Sequence, residues 1–147
     1  MANLSATAAI KQVLQLPIFG GLSAATRKHL KGVMRVDHLA AGTCFLIEGD
    51  PSADDLFVVL RGEVALTFED KLLVLNGPPD LIGLLSVIDG APRTASATAF
   101  SDVALAVLPR EDFRSLMAIS PRFARNVIEH LTRDVRNLHS ADEKVWF

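Results

Sequence analysis

The order of apolar segments along this chain predicts a mainly β domain, an antiparallel sandwich or barrel with helices at both ends. Between residues 33 and 109, short apolar runs alternate with turn-forming residues. That spacing suits strands joined by tight turns rather than βαβ units. Within one run Val64, Leu66 and Phe68 alternate with Glu63, Ala65 and Thr67, the pattern of a sheet with one face on a core. Outside this zone the apolar period changes to three and four residues, as in an amphipathic helix. With 147 residues, half of them hydrophobic and 22% charged, the chain is long enough for one domain with a real core and too short for two. Residues 1–147 are therefore read as a single domain.

Residues 1–32 read as helix, break, helix. Ile10, Val13 and Leu14 recur at helical spacing until Pro17 stops the run. After Gly20 and Gly21, Ser23 is a candidate N-cap for a short helix carrying Leu22, His29 and Leu30, because a serine hydroxyl there accepts from a free first-turn amide. In the β zone, residues 33–39, 43–48, 56–60, 63–68, 72–76, 93–99 and 103–108 are the expected strands, with an irregular stretch before residue 93. Residues 110–140 are helical again. A short helix over 111–117 bears Phe113, Leu116 and Met117. Ser120 and Pro121 then supply a capping side chain and a first-turn proline. From there Phe123, Val127, Leu131, Val135 and Leu138 form one apolar stripe, opposite Arg122, Arg125, Glu129, Arg133 and Arg136.

Several function classes are set aside by composition. The net charge is −2 and the basic residues are scattered, so a surface that neutralises phosphates is not expected and neither is a DNA partner. A single cysteine, Cys44, excludes an internal disulfide and any multi-thiolate metal site. His29, His38, His130 and His139 do not share one element or face, and no metal is expected. No serine–histidine–carboxylate or paired-acid pattern stands out, so the chain is not read as an enzyme. The first ten residues lack a basic start followed by an apolar core. The longest apolar stretch, residues 81–88, is broken by Gly83 and Ser86 and falls far short of the ~20 residues that span a bilayer. A cytoplasmic protein without a membrane partner is the expectation.

The informative segment is residues 83–98, Gly-Leu-Leu-Ser-Val-Ile-Asp-Gly-Ala-Pro-Arg-Thr-Ala-Ser-Ala-Thr. Gly83 permits close backbone approach and opens a short helical turn whose exposed amides form an anion site. Residues 89–92 turn the chain back toward a strand that Arg93 begins. The guanidinium of Arg93 and the hydroxyl of Thr94 would face an anion held by the amides of Gly83, Leu84 and Leu85. That combination suits one phosphate. The other reading of Arg93 is a structural salt bridge to Asp80 or Asp89.

These residues resemble the phosphate-binding cassette of the cyclic nucleotide-binding domains, with Pro92 and Arg93 followed by the small residues Thr94 and Ala95. The resemblance covers nearly the whole chain: Leu16-Pro17-Ile18-Phe19 with Leu22, Ala41-Gly42, Glu48-Gly49-Asp50, Leu56-Phe57-Val58-Val59 and Arg61-Gly62-Glu63-Val64 follow in the family's order. It implies an antiparallel β-roll (jelly-roll-like) with a helical bundle from the N- and C-terminal ends, and a cassette over residues 83–95. It implies cAMP or cGMP as the ligand, with Thr94 like that of members accepting cGMP. One departure stands out. Binding members usually place a glutamate after the cassette glycine, where it accepts a ribose hydroxyl; Leu84 stands there. Losing a charged hydrogen bond of roughly 1.5–3 kcal/mol would weaken binding roughly ten- to a hundredfold.

In this family the last helix closes over the base and signals to a partner. By that likeness Val135 and Leu138 are candidate base contacts, with Trp146 and Phe147 beyond them to cap, stack in or occupy the pocket. Some relatives of this fold hold haem, but Cys44 on an expected strand reads as a buried core thiol, and no haem is expected. The partner would be an effector protein or a second copy. A DNA-binding member needs a helix-turn-helix after the long helix, and few residues follow Leu138. The alternative reading is a domain of this fold that has lost the ligand and serves as an interaction module, with Leu84 its best support.

Overall fold

A computed structural model of the chain describes residues 5–51 and 55–141, with side chains described through residue 138. Helix α1 (Ala6–Val13) starts where the Ser5 hydroxyl accepts from the amide of Ala8 at 3.2 Å. It buries Ala9, Ile10 and Val13, and Pro17 then opens a single 3-10 turn (Pro17–Phe19) that buries Ile18 and Phe19. Helix α2 (Ala24–Val33) is capped by Ser23, whose hydroxyl accepts from Thr26 at 3.1 Å. Leu22 lies before that cap and packs against the core. The helix runs on through Val33, expected to open the first strand, because the amide of Met34 still closes onto Leu30.

Among the described residues eight strands follow: β1 (Arg35–Leu39), β2 (Cys44–Leu46), β3 (Asp55–Arg61), β4 (Val64–Phe68), β5 (Lys71–Asn76), β6 (Leu81–Ile82), β7 (Ser96–Ala99) and β8 (Val103–Pro109). They pair antiparallel in two four-stranded sheets, ordered β1-β8-β3-β6 and β2-β7-β4-β5. The expected mainly β, antiparallel architecture with flanking helices is the one observed.

Strands β3 and β8 explain themselves by their period. Side chains alternate across a sheet, and both faces of this pair are covered. Phe57, Val59, Leu105 and Val107 enter the core between the sheets, with Val64, Ile82, Ala97 and Ala99. Leu56, Val58, Ala106 and Leu108 enter a second core under the helices. Burial on both faces is why these segments read as continuous apolar runs rather than alternating ones. Toward the end of β4 the alternation fails: Val64 is buried but Phe68 is exposed. The β4–β5 pairing carries a register shift between Leu66 and Thr67, and the hairpin tip leaves the core. Cys44 is exposed, not buried as expected, because β2 pairs on one side only; its thiol donates to the carbonyl of Leu46 at 3.3 Å.

Helix α3 (Leu84–Asp89) joins β6 to the turn before residue 93. Helices α4 (Arg110–Ile119) and α5 (Pro121–Ala141) close the second core. Ser120 caps α5, accepting from Phe123 at 3.1 Å. Phe123 stacks on Phe19 at 5.9 Å and meets Phe113 edge-on at 5.4 Å, geometries that aromatic rings favour. The buried Asn126 donates to the carbonyls of Ile18 and Gly20 at 3.1 and 2.8 Å and accepts from Arg122 at 3.2 Å. The first two turns of α5 are thus fastened to residues 17–20. Farther along, Leu131 and Leu138 are half-buried and Val135 is 56% exposed. No helix among the described residues is long and apolar enough to cross a membrane.

Candidate functional site

Strand β6 pairs with β3 at only two positions, Phe57 with Ile82 and Val58 with Leu81. Where that ladder stops, the Arg93 side chain takes over. Its Nη1 donates to the carbonyl of Gly83 at 3.3 Å and its Nη2 to the carbonyl of Asp55 at 3.2 Å. Arg93 is 4% exposed, and a guanidinium so buried is stable only when its N–H groups find acceptors. Its backbone is held too: the Arg93 amide donates to Asp50 at 3.2 Å, and its carbonyl accepts from Gly49 at 2.8 Å. Arg93 therefore stands before the strand rather than beginning it. Strand β7 starts at Ser96, whose hydroxyl accepts from the amide of Glu48 at 3.0 Å.

Gly83 meets two demands at once. Its φ of +87° lies in the left-handed region, and a Cβ there would collide with Nη1 of Arg93 and approach the Asp55 carbonyl to 3.1 Å. The bare backbone lets the guanidinium lie against the start of α3. The first bond inside that helix runs from Val87 to Gly83 at 3.1 Å, so the amides of Leu84, Leu85 and Ser86 precede the ladder and carry the partial positive charge of a helix start. At the far end the Ser86 hydroxyl donates to Pro92 at 3.4 Å, and the Asp89 carboxylate accepts from Ala91 at 2.8 Å. Asp80 accepts from Gly77 at 3.1 Å. The two acids expected as alternative partners of Arg93 are thus engaged in their own turns.

The Leu84 side chain is 8% exposed and packs in the core under the helices, while Leu85, 39% exposed, faces outward. Leu84 thereby offers the site its amide and gives its side chain to the core. Thr94 is exposed and Ala95 half-buried beside Arg93. Val135 lines a shallow hollow of about 460 Å³ with Ile128, Leu131, Thr132 and Arg136, all on α5. Leu138 is half-buried farther along the helix. Trp146 and Phe147 lie outside the described residues. Among the described residues, no group of three histidine, cysteine or acidic side chains could hold a metal ion.

Sequence reasoning missed Asp55 and Arg35. Asp55 contributes a backbone carbonyl to Arg93, and a main-chain acceptor leaves no mark in a sequence. Arg35 reaches the Asp55 carboxylate at 3.4 Å and Asp37 at 3.2 Å. Partial burial disfavours the charge on Arg35, but hydrogen bonding and attraction to Asp37 and Asp55 outweigh it and raise its pKa.

Helix-start amides beside a buried, fixed guanidinium are donor groups of the kind that recognise oxyanions. The family model of the cyclic nucleotide-binding domain matches residues 36–120. The chain is 31% identical over 115 residues to the CRP-like cAMP-activated global transcriptional regulator of Mycobacterium tuberculosis, covering 75% of this chain and 50% of the relative. It thus spans about half the length of that curated relative. Among solved structures, the N-terminal domain of a transcriptional regulator from Streptomyces coelicolor A3(2) is 33% identical, with a TM-score of 0.66, covering 90% of this chain and 99% of that one. A cyclic nucleotide-binding domain from Methylobacillus flagellatus is 27% identical, with a TM-score of 0.74, covering 97% of this chain and 87% of that one.

Proposed function

Because the chain belongs to the cyclic nucleotide-binding domain family, we propose that it is a regulatory module that binds cAMP or cGMP and signals through α5. The observation that carries this reading is the Arg93 guanidinium held against Gly83 at the start of α3. The cyclic phosphate sits on the amides of Gly83, Leu84 and Leu85 and on Arg93 and Thr94, with Ala95 leaving room beside it. The relative named as cAMP-activated supports cAMP among the ligands. Leu84 supplies no carboxylate to the ribose, so affinity is micromolar rather than nanomolar. The base lies toward Val135 and Leu138, and closure of α5 alters the surface offered to an effector protein or a second copy.

Isothermal titration calorimetry with each nucleotide, carried into the high micromolar range, tests the reading. Saturable heat is expected from the parent protein. Arg93→Glu, shown to be folded by circular dichroism, should lose it, because a carboxylate at the phosphate repels where a guanidinium attracted. Arg93→Lys keeps the charge without the two-pronged donor and should bind at least tenfold more weakly. A second reading, favoured by the seating of Leu84 in the core, is an interaction module that needs no nucleotide. The absence of heat from folded parent protein with both nucleotides would favour that reading instead.

A further inference from the structure

We propose that Arg35, on a strand that pairs with β8 alone, is a positioning residue for Arg93. The inference rests on the nucleotide-binding reading above and extends it to a residue outside the site. Strands β1 and β3 both pair with β8 and not with each other. Arg35 is opposite Val107 and Asp55 is opposite Pro109, so the two lie on either side of the same end of β8. The Arg35 side chain crosses that end. Its Nη2 reaches the Asp55 carboxylate at 3.4 Å while its Nε holds Asp37 at 3.2 Å.

Asp55 therefore works in two directions. Its carboxylate is tied to Arg35, and its main-chain carbonyl accepts from Arg93 Nη2 at 3.2 Å. It is also the first residue of β3, opposite Pro109 of β8, whose ring nitrogen has no hydrogen to donate to it. Arg93 is thus the donor that the Asp55 carbonyl meets, while the Arg35 ion pair restrains the same residue through its side chain. The Asp55 side chain is 21% exposed and that of Arg35 52% exposed. Removing either charge leaves no buried ion behind, and the variants should fold. Because the pair is partly exposed, its effect on binding is modest, and salt should weaken it.

The test has two readouts on the full chain. Nuclear magnetic resonance of the Arg93 guanidinium, without ligand, should show restricted rotation of its Nη groups in the parent. Arg35→Gln and Asp55→Asn should each loosen the Nη2 group that Asp55 holds while Nη1 stays on Gly83, and the double variant should do no more than either alone. Titration calorimetry with cAMP and cGMP should then show a two- to fivefold loss of affinity in either single variant, and almost no further loss in the Arg93→Lys background. Unchanged Arg93 resonances in Arg35→Gln would overturn the positioning role whatever the nucleotides do. Equal loss in both backgrounds would overturn it as well, since coupled residues depart from additivity. Released Arg93 resonances with no nucleotide bound by the parent would uphold the tie between Arg35 and Arg93 and overturn only the nucleotide reading.

Discussion

One methyl group at residue 83 separates the two things that glycine does there. Gly42 also has a positive φ, +90°, but a Cβ on it would meet nothing within 4 Å. Gly42→Ala should therefore cost only the left-handed backbone penalty, about 1–2 kcal/mol. Gly83→Ala adds a collision with Arg93 Nη1. It should cost more in urea unfolding and lower nucleotide affinity at least tenfold, whereas Gly42→Ala leaves affinity unchanged. Equal behaviour of the two variants in calorimetry would mean that the guanidinium moves aside freely. Leu84 poses the complementary question. Read by resemblance it stands where a glutamate would meet ribose, yet its side chain lies in the core with Leu56, Val58 and Val87. Leu84→Glu should thus destabilise the fold by about 2–4 kcal/mol, because it exchanges buried apolar surface for a carboxylate. An unfolding curve matching the parent's would show instead that residue 84 can turn from the core toward the ligand.

Among the elements, the ones legible in the sequence are those whose apolar pattern is set by a core. Strands β3 and β8 carry alternate residues into two cores, so their continuous apolar runs announced them. The caps at Ser23 and Ser120 were equally legible, because each hydroxyl satisfies an amide three residues on. Ser120→Ala should cost about 1 kcal/mol by that account, measured by urea unfolding. Strand β6 escaped notice because two residues are too few to show a period. The start of β7 was misplaced because Arg93 is fixed by a main-chain bridge to residues 49 and 50, which no side-chain pattern encodes. The exposure of Cys44 depends on β2 being an edge strand, a property of sheet order rather than of the strand itself. Within the site, the glycine, the helix start and the arginine were visible as spacing, whereas the Asp55 carbonyl and Arg35 appear only when β1, β8 and β3 are laid side by side.

Across the whole molecule, the cassette sits where the two cores adjoin. Ile82, just before it, belongs to the core between the sheets, while Leu84 and Val87 belong to the core under the helices. A ligand fixed at the start of α3 thus bears on both. Helix α5 is fastened by Phe123 and Asn126 near its start and presents an exposed Val135 farther along, so under the proposed function a response to ligand is expected in its distal turns. Nucleotide at a hundred times its dissociation constant should stabilise the protein by about 2.7 kcal/mol, through binding to the folded state alone. Amide hydrogen exchange shows where that stabilisation is felt. Slower exchange is expected at residues 84–86, at 49 and 93, and in α5 beyond Val127, with the β4–β5 hairpin unchanged. Within the hairpin, β5 is the internal control, because it is an edge strand that pairs with β4 alone. Protection at the cassette without any in α5 would leave the phosphate site intact and remove α5 as the signalling element. Protection in α5 that disappears in Val135→Asp, a change at an exposed position expected to leave stability within about 0.5 kcal/mol, would tie the helix to the ligand through that side chain.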